Sequence, residues 1–151
     1  MSEHHAGILW TRQTQSFAYE AYNRAHEMTF KGGAIRLPAS SAPAFRGDAD
    51  RVDPEEAFVA SLSSCHMLTF LAICARKGLL VDAYEDEAVG FLEKGPDGKL
   101  WMARVILRPG VRFAPDTKMN GATLGEIHHQ SHHECFIASS VRTDVTVEAR
   151  L

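Results

Sequence analysis

The sequence predicts an α+β fold, and three observations carry that prediction. Short segments of alternating apolar and polar residues are grouped before and after one long apolar stretch, Ala57 to Ala75. That stretch opens on Asp53-Pro54-Glu55-Glu56, a strong helix start: Asp53 caps, Pro54 suits the first helical position, and Glu56 closes a capping box. The closing segment, Val141 to Arg150, alternates as a half-buried strand does. Strands grouped in this way belong to an α+β architecture rather than to a doubly wound sheet.

Taken in order, residues 7–37 read as strands. Ile8-Leu9-Trp10 begins one, Phe17 to Tyr22 alternates in the next, and Met28 and Phe30 lead to the Gly32-Gly33 turn, followed by Ile35 and Leu37. Pro38 to Val52 is rich in Ala, Ser, Pro, Gly and Asp and reads as a loop. The central helix spans 53–77, with Gly78 as its stop. Being apolar or small on every side, it is expected to be buried on all faces. Residues 84–108 form a hairpin around Gly95-Pro96-Asp97-Gly98, 109–115 a connection, 117–135 a second helix and 141–150 the final strand. The whole chain, 1–151, reads as a single domain. A central helix of about 37 Å is long for so small a domain, which points to a dimer in which two chains wrap each other's helices.

Bulk properties exclude several classes. A net charge of −3 offers no basic footprint for nucleic acid. No stretch approaches the ~18–20 uncharged apolar residues of a membrane span. The opening Met1-Ser2-Glu3-His4-His5 has neither the basic nor the apolar region of a signal peptide. A cytoplasmic protein is expected, and there a disulfide would be catalytic or sensing. Motifs for hydride, nucleotide or phosphate chemistry are absent, so no cofactor is expected.

Three cysteines remain to be sorted. Cys74 lies nine residues after Cys65 on the same helix, about 180° round and ~13 Å along the axis, so the two cannot pair. Cys135 closes the second helix and is free to approach Cys65 in space. Taken singly, each cysteine reads as a buried small hydrophobe.

Pro54-Glu55-Glu56, then Ala60-Ser61-Leu62-Ser63-Ser64-Cys65-His66-Met67-Leu68, then His132 with Cys135 and Ser139-Ser140, resemble the OsmC family, which includes the organic hydroperoxide resistance proteins. The resemblance runs from about Ile8 to Glu148. It implies an intertwined homodimer, antiparallel sheets wrapped around two long central helices. It also implies a thiol peroxidase that reduces organic hydroperoxides at the expense of a dithiol reductant, with no cofactor and no metal. By that likeness Cys65 is the peroxidatic thiolate and Cys135 the resolving thiol. An arginine from the N-terminal strands, held by a glutamate ahead of the cysteine helix, stabilises the thiolate. Glu55 matches the glutamate and Arg24 the arginine. Arg36 and Arg46 are the other candidates, because the region lacks the glycine-rich arginine motif of the hydroperoxide resistance branch. Phe136 stands where typical members carry a proline after the second cysteine.

Ten residues of unbroken helix separate Glu55 from Cys65 by ~15 Å, so Glu55 is expected to serve the partner's Cys65. His128, His129, His132 and His133 form two i,i+4 pairs, read as surface or packing residues, with His132 orienting local hydrogen bonds. His66 reads as a satisfied buried histidine. Tyr19, Tyr22, Phe30 and Trp101 read as packing residues before they read as an apolar channel. Two other classes stay open: a redox-responsive or small-ligand-binding protein without turnover, and a metal-binding protein built on the histidine cluster.

Overall fold

The computed structural model describes residues 1–150. They fall into two compact units, Met1–Ala57 and the chain from Phe58 onward, and the first helix begins in one and continues in the other.

The N-terminal unit is built on an antiparallel sheet of β1 (Ala6–Leu9), β2 (His26–Phe30) and β3 (Ile35–Ala39), in that order. Ile8 stands opposite Met28, which stands opposite Leu37. The expected Gly32-Gly33 turn joins β2 to β3, with both glycines at positive φ (64° and 90°). The expected strand through Phe17 to Tyr22 does not form. There the amides of Ala21 and Tyr22 both turn back to the Ala18 carbonyl, and the Asn23 side chain ties the Gln13 amide to the Thr11 carbonyl. The aromatics cluster on one another instead of on a sheet, with Phe17 and Tyr22 ring centroids 5.0 Å apart. Backbone groups satisfied by local turns have no ladder to join. After β3, Ser40 Oγ accepts from the Asp48 amide at 3.0 Å and donates to its carboxylate at 3.1 Å, closing the loop. Gly47 is required in that loop, because a Cβ there would stand 1.5 Å from the Ser41 carbonyl oxygen.

Helix α1 covers Pro54–Arg76. Its capping box forms as the sequence predicts: Asp53 Oδ1 accepts from the Glu56 amide at 2.8 Å, and Glu56 Oε2 accepts from the Asp53 amide at 3.1 Å. Gly78 adopts φ 70°, letting the Leu79 amide reach back to the Cys74 carbonyl at 2.9 Å. The expectation of burial on all faces is not met within one chain. Leu62, His66, Phe70, Ile73 and Cys74 are buried, while Ala60, Ser61, Ser64, Leu68, Ala72 and Ala75 are exposed. By length and composition α1 would suffice to cross a membrane, contrary to the sequence reading. Its buried side chains, packed against this chain's own strands and second helix, give it the place of a core helix.

Beyond α1, β4 (Val81–Asp86) pairs with β7 (Pro109–Phe113), and β5 (Val89–Lys94) pairs with β6 (Leu100–Leu107), which also takes β8 (Asp144–Val147) in parallel. The predicted hairpin around Gly95-Pro96-Asp97-Gly98 is the β5–β6 turn, with Gly98 at φ 76°. The expected single strand from Tyr84 to Lys94 is broken, and the expected connection after Pro109 is strand. Both departures have one cause. The Asp86 carboxylate accepts from the Arg108 amide at 2.6 Å and from Ser63 Oγ, so the two segments switch sheets together at that point. The second helix, α2 (Gly121–Glu134), starts later than expected because Asn120 Oδ1 caps it through the Thr123 amide at 2.8 Å. The final strand is shorter than 141–150, with an isolated bridge from Arg150 to Gly110.

Two apolar clusters form the core of this unit. Phe70, Ile73 and Cys74 of α1 meet Leu124 and Ile127 of α2, while Leu62 meets Val105 and Leu107 of β6. Replacing Asp53 or Asn120 by alanine removes a side-chain cap and is expected to cost about 1 kcal/mol each. The check is a urea titration, in which the midpoint falls and the slope stays unchanged.

Candidate active site

Cys65 lies in the middle of α1 and is half-buried; Cys135 is the residue that closes α2 and is 1% exposed. The two thiols are neighbours, close enough for Cys65 to act on the Cys135 thiol. Local structure fixes Cys135. Leaving α2, the chain turns into a short 3₁₀ segment, Ala138–Ser140, whose first amide donates to Cys135 Sγ at 3.4 Å. Ser139 returns both its amide (3.1 Å) and its hydroxyl (3.0 Å) to the Cys135 carbonyl. Burial, then the neighbouring Cys65 thiol, pushes the Cys135 thiol up to about 11, so it keeps its proton at neutral pH. Cys74 is buried in the α1–α2 apolar cluster, where burial pushes its thiol up as well, and it serves packing.

The remaining expected site residues belong to the N-terminal unit. The Arg24 guanidinium stacks over the Tyr22 ring at 3.7 Å and donates to the Tyr22 carbonyl at 2.6 Å and to that of Tyr19. Arg46 sits at φ 64°, its guanidinium 5.8 Å from the Tyr19 ring centroid. Arg36 is engaged at the surface by Glu27 at 2.6 Å. Glu55 occupies the first turn of α1, on the same continuous helix as Cys65. Of the four aromatics, Tyr19 is exposed and does not pack as expected; Trp101 is half-buried with Arg142 over its ring at 4.7 Å.

A histidine pair that the sequence reading missed lies between the two helices. His66 and His128 are 1% and 3% exposed, and His66 Nε2 stands 3.0 Å from His128 Nδ1. His66 is therefore only half satisfied: its Nδ1, like His128 Nε2, has no partner among the described residues. The Phe70 ring stacks on His128 at 4.4 Å. A signal for this pair exists in the sequence. His66 falls four residues from both Leu62 and Phe70 on the buried face of α1, and His128 falls between Leu124 and Ser131 on that of α2. His129 and His133 are exposed and stack edgewise at 4.6 Å.

The family model described as OsmC-like protein matches residues 47–150. An OsmC-like protein of unknown function from Vibrio cholerae has 44% sequence identity over 99% of this chain and 100% of its own, with a TM-score of 0.92. An organic hydroperoxide resistance protein OsmC from Legionella pneumophila (13% identity, all of both chains, TM-score 0.74) shares the fold. So does an organic hydroperoxide resistance protein of Bacillus subtilis, at 19% identity over 97% of this chain and 98% of its own, with a TM-score of 0.69. No curated protein matches the sequence.

Burial pushes both His66 and His128 down to about 4, while the unfolded chain takes up those protons near 6.5. Between these values the unfolded state binds more protons, so stability is lost as pH falls through the window. Urea midpoints measured on either side of it are expected to show a smaller acid loss for His128→Gln than for wild type. Equal losses would mean that the pair does not govern acid stability.

Proposed function

Because the chain belongs to the OsmC-like protein family, we propose that it reduces organic hydroperoxides by a thiol cycle. The observation that carries this reading is the meeting of Cys65 and Cys135 across α1 and α2, both reduced and apart from the third cysteine. The Cys65 thiolate attacks the peroxide, the O–O bond breaks, the sulfur becomes a sulfenic acid, and the alkoxide leaves as alcohol after taking a proton. Cys135, held as a thiol, then displaces water from the sulfenic acid to form the disulfide. A dithiol reductant returns both sulfurs to thiols by exchange. Organic peroxides are favoured because an apolar site accepts an apolar tail.

The attacking sulfur needs a cation beside it, which is the role proposed for Arg24, with Glu55 positioning the guanidinium. Arg24 uses two of its five N–H donors on the Tyr19 and Tyr22 carbonyls, so the fork keeps donors for a sulfur and a carboxylate. The active form is an intertwined homodimer in the cytoplasm, in which Glu55 serves the partner's Cys65. The exposed small and apolar stripe of α1, with Leu68 60% exposed at its centre, supports a second chain there.

Reductant-coupled consumption of an organic hydroperoxide and of hydrogen peroxide tests the cycle. Cys65→Ser is expected to lower kcat/KM by about 10³-fold or more. Cys135→Ser is expected to complete one turnover and accumulate a trappable sulfenic acid. Consumption that never exceeds one equivalent in wild type with several dithiols would overturn the peroxidase and favour redox-responsive or ligand binding. Leu68→Asp is expected to yield monomers by sedimentation with activity lost; active monomers would sink the shared-site arrangement.

A further inference from the structure

The helical repeat of α2 separates its histidines into two kinds. His129 and His133 are exposed and stack on each other, whereas His128 is buried and His132 half-buried; His128 and His132, one turn apart, line a cavity of about 250 Å³ between α2 and β8, with His129 at its exposed edge. The opposite wall is aliphatic, made by Val145 and Val147 of β8. One turn earlier on α2 stands Gly125, where an added Cβ would meet nothing within 4 Å, so the space beside His128 stays open. Two ring nitrogens of these residues, His128 Nε2 and His132 Nδ1, are buried and have no partner among the described residues. Leaving a buried polar atom unpaired is destabilising, and here two occur one turn apart on one helix.

We infer that this cavity is a binding site for a borderline divalent transition ion, held by His128 Nε2 and His132 Nδ1. Imidazoles at i and i+4 on a helix can chelate one ion, and a set of two imidazoles with no carboxylate or thiolate suits Zn²⁺, Cu²⁺ or Ni²⁺ rather than Ca²⁺ or Mg²⁺. The core supplies the supporting contact. When His128 Nδ1–H donates to His66 Nε2 at 3.0 Å, the lone pair of His128 is left on Nε2, free to bind, and the ring is held in place. Phe70 stacked on His128 fixes its tilt. Among the described residues no set of three His, Cys, Asp or Glu side chains converges, so water completes the coordination shell. The site is distinct from the two thiols, since neither Cys65 nor Cys135 lines the cavity.

The test is Zn²⁺ titration of the full chain against a chromophoric chelator, in a His4→Ala/His5→Ala background that removes the N-terminal histidines. One ion per chain is expected, with metal-induced shifts at His128 Nε2 and His132 Nδ1 in imidazole nitrogen NMR. His132→Ala is expected to weaken binding by more than the ~10–100-fold that a supporting partner contributes. His129→Ala/His133→Ala is expected to leave it unchanged, and circular dichroism establishes that each variant is folded. No saturable binding, binding that survives His132→Ala, or binding lost with His129 and His133 would each overturn the proposal.

Discussion

Side-chain contact between α1 and α2 is the constraint on which the rest of this structure depends. The His66–His128 hydrogen bond lies in it, and Phe70, Ile73 and Cys74 of one helix close around it with Leu124 and Ile127 of the other. That packing fixes which way α2 faces. Cys135, seven residues after His128, is turned toward the same side and meets Cys65, the neighbour of His66. The thiol pair and the imidazole pair are two rungs between the same two helices. A rotation of α2 that broke one would displace the other.

The environment of each rung separates roles that the residue types alone do not. Of the three cysteines, Cys74 is enclosed by apolar side chains, Cys135 is enclosed but hydrogen-bonded, and Cys65 alone is half-buried. That contrast suits the proposed cycle, in which a peroxide has to reach the attacking sulfur and a resolving thiol has only to reach that sulfur. The same contrast sorts the histidines. Burial holds His66 and His128 neutral, so their free nitrogens remain available as acceptors or ligands. His129 and His133 are left to the solvent.

Much of the fold was legible in local pattern. The Asp53-Glu56 capping box, the Gly78 stop, the Gly32-Gly33 turn and the Gly95 to Gly98 hairpin all occur where the residues say, because each is satisfied by neighbours within a few positions. The misreadings share the opposite property. Phe17 to Tyr22 alternates as a strand, yet its backbone is taken up by turns and its rings by one another. The break after Asp86 depends on Ser63 and Arg108, each more than twenty residues away, and no local window contains them. The burial of α1 was overstated because its composition does not say whether its own chain or a second one covers the exposed stripe.

The sequence by itself determined the class of fold, the two helices, the family resemblance and the cysteines worth weighing, since periodicity, caps and turn residues act at short range. Only the tertiary structure decided that Cys135 meets Cys65 and that His66 finds His128. It also decided that His128 and His132, and not His129 or His133, carry buried ring nitrogens without a partner among the described residues. Those facts depend on the rotation of one helix against another, which is set by the packing of buried side chains far apart in the chain.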